Sequence, residues 1–320
     1  MHSPLFAFVL ALGISYLATP QVRKLAVRLN VMVQPGGRRV HTRPMPLWGG
    51  IAIFGAFAFT SLVVMKLGVD PALKAPILGI VVAGALVLTV GLLDDMKEFS
   101  AAIQALLIVG AAIVLMTFGV RIQFLSNPFN PSMLALGGIL SWLITIVWVF
   151  AVTKAVDFMD GLDGLAAGIG AIAAGILAIM AYYSEKPQPH VILMAAALSG
   201  ACIGFLRFNF NPAKIFMGTG GSQFIGFALA AISIVGAFKV ATALAIALPI
   251  LVFGVPIFDA IFVVIKRFMD KRPVHVADQS HLHHRLLRRG LSHKQAVLVI
   301  YFFCIIAGGT ALALLLWSRR

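Results

Sequence analysis

The chain has 320 residues, of which 61% are hydrophobic and 11% charged, with a mean hydropathy of +1.01. That composition excludes a soluble globular protein and points to an all-α polytopic membrane protein, in which each span needs about 20 apolar residues. The formal net charge of +14 suits contact with anionic lipid or an anionic solute; without a soluble basic domain it does not point to nucleic acid.

In chain order, the apolar runs predict about ten transmembrane helices, near 3–19, 46–66, 76–93, 101–119, 134–153, 161–182, 189–206, 221–237, 240–264 and 295–317. Gly226, Gly236 and Pro249 interrupt the pair between 221 and 264. Met1-His2-Ser3 brings no basic n-region, so the first span reads as a retained helix rather than a signal peptide. Cys202 and Cys304 fall inside apolar runs and read as small buried hydrophobes, not as a disulfide or zinc site. No internal repeat and no domain-sized linker is evident, so residues 1–320 read as a single membrane-embedded domain.

The basic residues orient this topology. Most of the 25 Lys and Arg residues fall in loops near 20–45, 94–100, 154–163, 207–221 and 266–294, which the positive-inside rule places in the cytoplasm. Of the 11 acidic residues, all but Asp70 and Glu185 gather at the same face. A polar site at the cytoplasmic membrane boundary is the expected consequence.

All five of these loops carry candidate chemistry. Pro35–Gly50 is rich in Gly and Pro, and its Arg38, Arg39, His41 and Arg43 either donate to phosphate or merely set topology. Asp94-Asp95 suits magnesium beside phosphates, or is a solvated helix end. Asp157, Asp160 and Asp163 recur at spacing three, so on a helical turn they share one face. Three close carboxylates need a positive partner, which is a divalent metal, Lys154 or the charged part of a ligand, or else they mark a solvated helix end. Lys154 and Asp157 are spaced to pair across one turn. Gly218, Gly220, Gly221 and Ser222 read as a loop entering a helix N-terminus, a place for an anionic oxygen. His281, His283 and His284 lie among Arg285, Arg288 and Arg289; with no Cys or Glu nearby, a loop gripping an anion fits better than zinc, a solvated amphipathic helix being the plain alternative.

In this order, these motifs resemble the bacterial polyprenyl-phosphate N-acetylhexosamine-1-phosphate transferases, the MraY-like and WecA/TagO-like enzymes. The resemblance rests on the His41–Pro46–Gly50 loop, Asp94-Asp95, Asp160-Gly-Leu-Asp-Gly164, the glycine loop before Gln223, Asp259 after Pro256, and the histidine loop. His281-Leu-His-His284 is similar to the WecA/TagO branch rather than the branch that handles the muramyl-pentapeptide nucleotide. The resemblance implies an MraY-like fold in the bacterial inner membrane, with its active site facing the cytoplasm. It implies that a polyprenyl phosphate, usually undecaprenyl phosphate, takes the sugar phosphate from a UDP-N-acetylhexosamine and releases UMP, initiating a lipid-linked envelope glycan. Magnesium is the implied cofactor. By the same resemblance Asp94, Asp95, Asp160 and Asp163 are the catalytic set, with Asp94 and Asp95 on the metal or the lipid phosphate. Arg38, His41, Lys154, Asp157, Gly221, Ser222, His281, His283 and His284 are the implied substrate contacts. The choice between monomer and homodimer stays open.

The chain departs from the family's pattern at Val33-Gln34, Gln104, Lys154, Asp157 and Thr219. The family usually has Asn where Lys154 and Asp157 stand, often Lys near Gln104, and at Thr219 an Asp that is a magnesium ligand. A neutral hydroxyl is a poor ligand for a hard cation, so weakened magnesium dependence is expected. A catalytically altered or inactive paralog is therefore the alternative reading. A transporter is the remote one, disfavoured because the charges gather at one face.

Overall fold

The computed structural model describes residues 3–34, 44–66, 71–126, 133–184, 187–236, 250–269 and 281–317. Among them the chain forms α1 (Pro4–Arg28), α2 (Gly50–Lys66), α3 (Pro71–Lys97), α4 (Ala101–Thr117), α5 (Gly138–Phe158), α6 (Leu165–Tyr182), α7 (Pro189–Asn209), α8 (Gly218–Val235), α9 (Gly254–Met269), α10 (Leu282–Arg288) and α11 (His293–Trp317). Seven of these helices, α1, α3, α5, α6, α7, α8 and α11, are long and apolar enough to cross a membrane. The apolar α2 and α4 are shorter, at 17 residues each. Most of the expected spans fall on these helices. The count of ten also drew on 237–249, which lies outside the described residues, as do Arg38 and His41.

The helix starts follow their local sequence. Ser3 and Ser100 cap α1 and α4 with hydroxyls that accept the N–H of Leu5 and Ile103. Two short antiparallel hairpins complete the described structure. One, β1 (Met32–Val33) with β2 (Met45–Pro46), pairs Met32 with Pro46; the other, β3 (Phe124–Ser126) with β4 (Met133–Ala135), pairs Leu125 with Leu134.

Helix α8 is the axis of the bundle, buried along nearly its whole length against α3 and α5. In lipid there is no hydrophobic drive between helices, so close backbone packing takes over. Gly200 and Gly204, four apart on α7, press on the α1 backbone at Phe8 and Leu12, where a methyl group would collide with the carbonyls. Gly91 on α3 and Gly220 on α8 meet in the same way. On the outer helices large apolar side chains such as Leu17, Leu143 and Phe302 are exposed, as lipid-facing positions require. Cys202 and Cys304 are buried free thiols.

One expectation needs correction. Asp157, Asp160 and Asp163 do not share a helical face, because α5 ends at Phe158 and residues 159–164 form a turn. Gly164 closes that turn with φ of +82°, a conformation that favours glycine. The carboxylates are therefore fanned around a turn rather than stacked along a helix.

Candidate functional site

The turn after α5, the ends of α3 and α7 and the starts of α4, α8 and α11 meet at one end of the bundle. They enclose a cleft of about 1140 Å³ lined by Asp94, Asp95, Asp157, Asp160 and Asp163 with Thr219, Ser222, His284 and His293. Such a volume holds a ligand larger than most single metabolites.

Each carboxylate has a different environment. Asp94 is buried, and its oxygens accept the Phe99 N–H at 2.7 Å and the Gln104 amide at 3.1 Å to each oxygen. Asp95 reaches from α3 to the N-terminus of α8, where its Oδ1 accepts the Thr219 N–H at 2.8 Å. That end of a helix carries partial positive charge, which favours a carboxylate. The other oxygen of Asp95 is buried with no hydrogen-bond partner. Asp157 is bound by the Lys154 ammonium at 2.6 Å and the Ser222 hydroxyl at 2.6 Å. Asp163 accepts from the Asn211 amide and the Ala213 N–H, at 2.9 and 3.0 Å.

Asp160 sits between these groups. Burial, and then the charges of Asp157, Asp95 and Asp163, push its carboxyl up to about 8. A carboxyl so raised changes charge near neutrality and welcomes a cation.

The loop from Phe210 to Met217 is tied to this turn by Asn209. Its Oδ1 accepts the Gly164 N–H at 3.1 Å, and its amide donates to the Ile215 carbonyl at 2.9 Å. The same loop joins the first hairpin, through the Phe216 N–H to the Pro46 carbonyl. Arg23 of α1 donates to the Lys214 carbonyl at 3.0 Å. The site is thus fixed by elements drawn from both ends of the sequence.

The three histidines have separate places. His281 Nδ1 lies 2.8 Å from Asp259 Oδ2 on α9, and the other oxygen of Asp259 accepts the Leu282 N–H, so this pair seats α10. His283 is buried against Gly161, where a methyl group would collide with its ring, and burial with its neighbours His284 and His281 brings its imidazole down to about 3. It is neutral across the physiological range. Of the three, only His284 lines the cleft. Gly221 packs on Gly50 and lets α2 approach α8, while Ser222, one residue on, contacts Asp157.

Three cleft residues escaped the sequence reading as participants. His293 accepts the Asp163 N–H at 2.8 Å, Asn211 binds the Asp163 carboxylate, and Gln104 joins Asp94 to Lys154. His293 carried one available signal, since it is a polar residue opening a long apolar span.

Among the described residues no three Asp, Glu, His or Cys side chains converge on a single metal position. Two carboxylates with substrate phosphates are the usual holding for magnesium, which does not need an all-protein cage. The buried, unpartnered oxygen of Asp95 and the turn carboxylate of Asp160 fit that arrangement. Asp94, with both oxygens engaged by Gln104, fits it less well than its neighbour.

The sequence profile of glycosyl transferase family 4 matches residues 77–237. A Bacillus subtilis protein named as a probable undecaprenyl-phosphate N-acetylglucosaminyl 1-phosphate transferase is 36% identical, over 96% of this chain and 84% of its own length. The decaprenyl-phosphate N-acetylglucosaminephosphotransferase of Mycolicibacterium smegmatis is also 36% identical, over 93% of this chain and 79% of its own. The undecaprenyl-phosphate alpha-N-acetylglucosaminyl 1-phosphate transferase of Escherichia coli K12 is 25% identical, over 87% of this chain and 75% of its own.

Proposed function

The chain belongs to glycosyl transferase family 4, and from that premise we propose that it transfers an N-acetylhexosamine 1-phosphate from a UDP-sugar to a polyprenyl phosphate in the bacterial inner membrane. The observation that carries this reading is one cleft, at the end of a membrane bundle, in which five aspartates, with Glu98, meet the N-terminus of a buried helix. The relatives named for this reaction align with nearly the whole chain.

In the step, an oxygen of the lipid phosphate bonds to the β-phosphorus of the nucleotide sugar. The bond from that phosphorus to the α-phosphate oxygen breaks, and UMP leaves. A lipid phosphate is largely ionised near neutral pH, so no strong base is needed. The work is positioning and charge neutralisation. Magnesium, held by Asp95 and Asp160 with diphosphate oxygens, would supply the neutralising charge. Asp94 keeps the start of α4 against the end of α3 through Gln104 and Phe99. Asp163 orders the 210–217 loop against the floor of the cleft, and His293 fixes the backbone at Asp163. Ser222 and Asp157 present the first turn of α8. His284 faces the cleft within reach of sugar or phosphate oxygens.

Support for a cytoplasmic cleft is the gathering of Lys and Arg at its end of the helices, including Arg28, Lys97, Arg207, Lys266 and Arg267. A nucleotide then enters from the cytoplasm and the lipid from the bilayer.

The test is the purified chain with undecaprenyl phosphate and a panel of UDP-N-acetylhexosamines, with and without magnesium. Release of UMP that depends on the lipid phosphate supports the reading. No release with any donor, in either condition, refutes it and favours the inactive-paralog alternative.

A further inference from the structure

Lys154 projects its ammonium into the seam between three helices. It lies 2.6 Å from Asp157 Oδ2 on its own helix α5 and 3.0 Å from Gln104 Oε1 on α4. Its ammonium lies over the Phe158 ring, 5.2 Å from the centroid. Beyond these contacts the chain of bonds continues in both directions. Gln104 donates to both oxygens of Asp94, and Asp157 accepts from Ser222 and, at 3.3 Å, from Gln223 on α8.

The chemistry of this chain is directional. A glutamine amide has one accepting end and one donating end. Here the accepting end meets an ammonium and the donating end meets a carboxylate. Reversing the amide would set donor against cation and acceptor against anion. The Lys154 ammonium, with a longer contact from the Gln223 amide at 3.5 Å, therefore holds the accepting end of Gln104 and favours the orientation in which its donating end faces Asp94. Among the described residues the same charge is the one cation bonded to Asp157, which lies close enough to Asp160 for their charges to interact.

We infer that Lys154 is a resident cation behind the lining of the cleft and a positioning residue for it, fixing Asp94 through Gln104 and Ser222 through Asp157 before any metal or substrate arrives. The kinetic consequence rests on the transferase reading; the electrostatic one does not. A fixed positive charge beside the carboxylates also opposes a divalent ion. Two effects of opposite sign follow from its removal. The cleft binds a divalent cation more tightly, yet its side chains are less well placed for turnover. Plain structural damage would weaken both.

The experiment uses the full chain in detergent and compares wild type with Lys154→Met and with the transposed pair Gln104→Lys/Lys154→Gln. Manganese binding is read from the electron paramagnetic resonance signal of the free ion, and kcat and KM from UMP release. Lys154→Met should bind manganese at least about tenfold more tightly while kcat falls at least about tenfold. The transposed pair, which moves the charge across a single hydrogen bond, should return manganese affinity to within about threefold of wild type. Equal or weaker manganese binding by Lys154→Met overturns the inference. If that variant does not fold, Lys154→Met/Asp157→Asn removes both charges of the pair, and the transposed pair still decides: an affinity changed by more than about tenfold overturns the inference. If wild type releases no UMP, the transferase reading fails while the manganese comparison still settles the role of Lys154.

Discussion

The backbone N–H of Asp163 donates to Nε2 of His293 at 2.8 Å, joining the turn after α5 to the start of α11. Nε2 is therefore the accepting nitrogen, and the proton of the neutral ring is on Nδ1. The bond fixes the backbone from which the Asp163 carboxylate reaches Asn211 and Ala213. Replacing His293 by Leu leaves a half-buried N–H unpaired, which costs about 1–3 kcal/mol. His293→Leu should lower kcat/KM by about tenfold or more, while His293→Gln, whose carbonyl can accept at similar reach, should lose less. Equal losses in the UMP-release assay would show that the acceptor is not what matters.

Thr219 supplies a backbone N–H to Asp95 and no charge of its own. Thr219→Asp adds a carboxylate where a hard cation would meet oxygen. At an effective dielectric of about 20, a unit charge at about 4 Å contributes about 4 kcal/mol, and solvent in an open cleft reduces this. Even half of that exceeds a tenfold change in affinity. Isothermal titration with manganese should show at least about a tenfold gain, and an unchanged affinity would place the metal away from α8.

Asp160 gives the protein a pH signature. Its carboxyl is raised to about 8 from an ordinary 3.8, so in the window between them the folded chain holds a proton that the unfolded chain has released. Stability contributed by this proton is present at low pH and is lost as pH rises through about 8. Asp160→Asn cannot ionise and should escape the loss. In EDTA, the melting temperature of Asp160→Asn should exceed that of wild type by more at about pH 8.5 than at about pH 5.5. Parallel melting curves across that range would contradict the raised carboxyl.

The orientation makes a separate prediction. Glu98 and Arg121 are exposed at opposite ends of α4, and the native cysteines are buried. In intact cells a membrane-impermeant maleimide should label Arg121→Cys and not Glu98→Cys. The reverse pattern would turn the cleft outward.

Much of this architecture was legible in the sequence because its signals are local. Apolar runs of span length located most helices, and spacing three placed Lys154 beside Asp157. The convergence of Asp94, Asp95, Asp160 and Asp163 was expected from their shared depth at the helix ends; that of all three histidines with them was expected too, and only His284 joins them. What the sequence concealed are bonds between distant segments. Gln104 stands 50 residues from Lys154, and His293 stands 130 from Asp163. Nothing in a single sequence marks such polar residues as partners. The histidine loop misled in part because three imidazoles within four residues suggest one task. The fold gives His281 to Asp259, His283 to Gly161 and His284 to the cleft. The aspartate run misled for another reason: helical spacing was extended across Gly161 and Gly164, where the backbone turns.

The central claim is transfer of a sugar phosphate rather than of a sugar, and the fate of the β-phosphorus tests it most directly. The purified chain is given undecaprenyl phosphate and a UDP-N-acetylhexosamine labelled with ³²P at the β-phosphate, and lipid and aqueous phases are counted. Sugar-phosphate transfer puts the label in the lipid diphosphate and leaves unlabelled UMP in water. Label remaining in water as UDP, with sugar on the lipid, would contradict it.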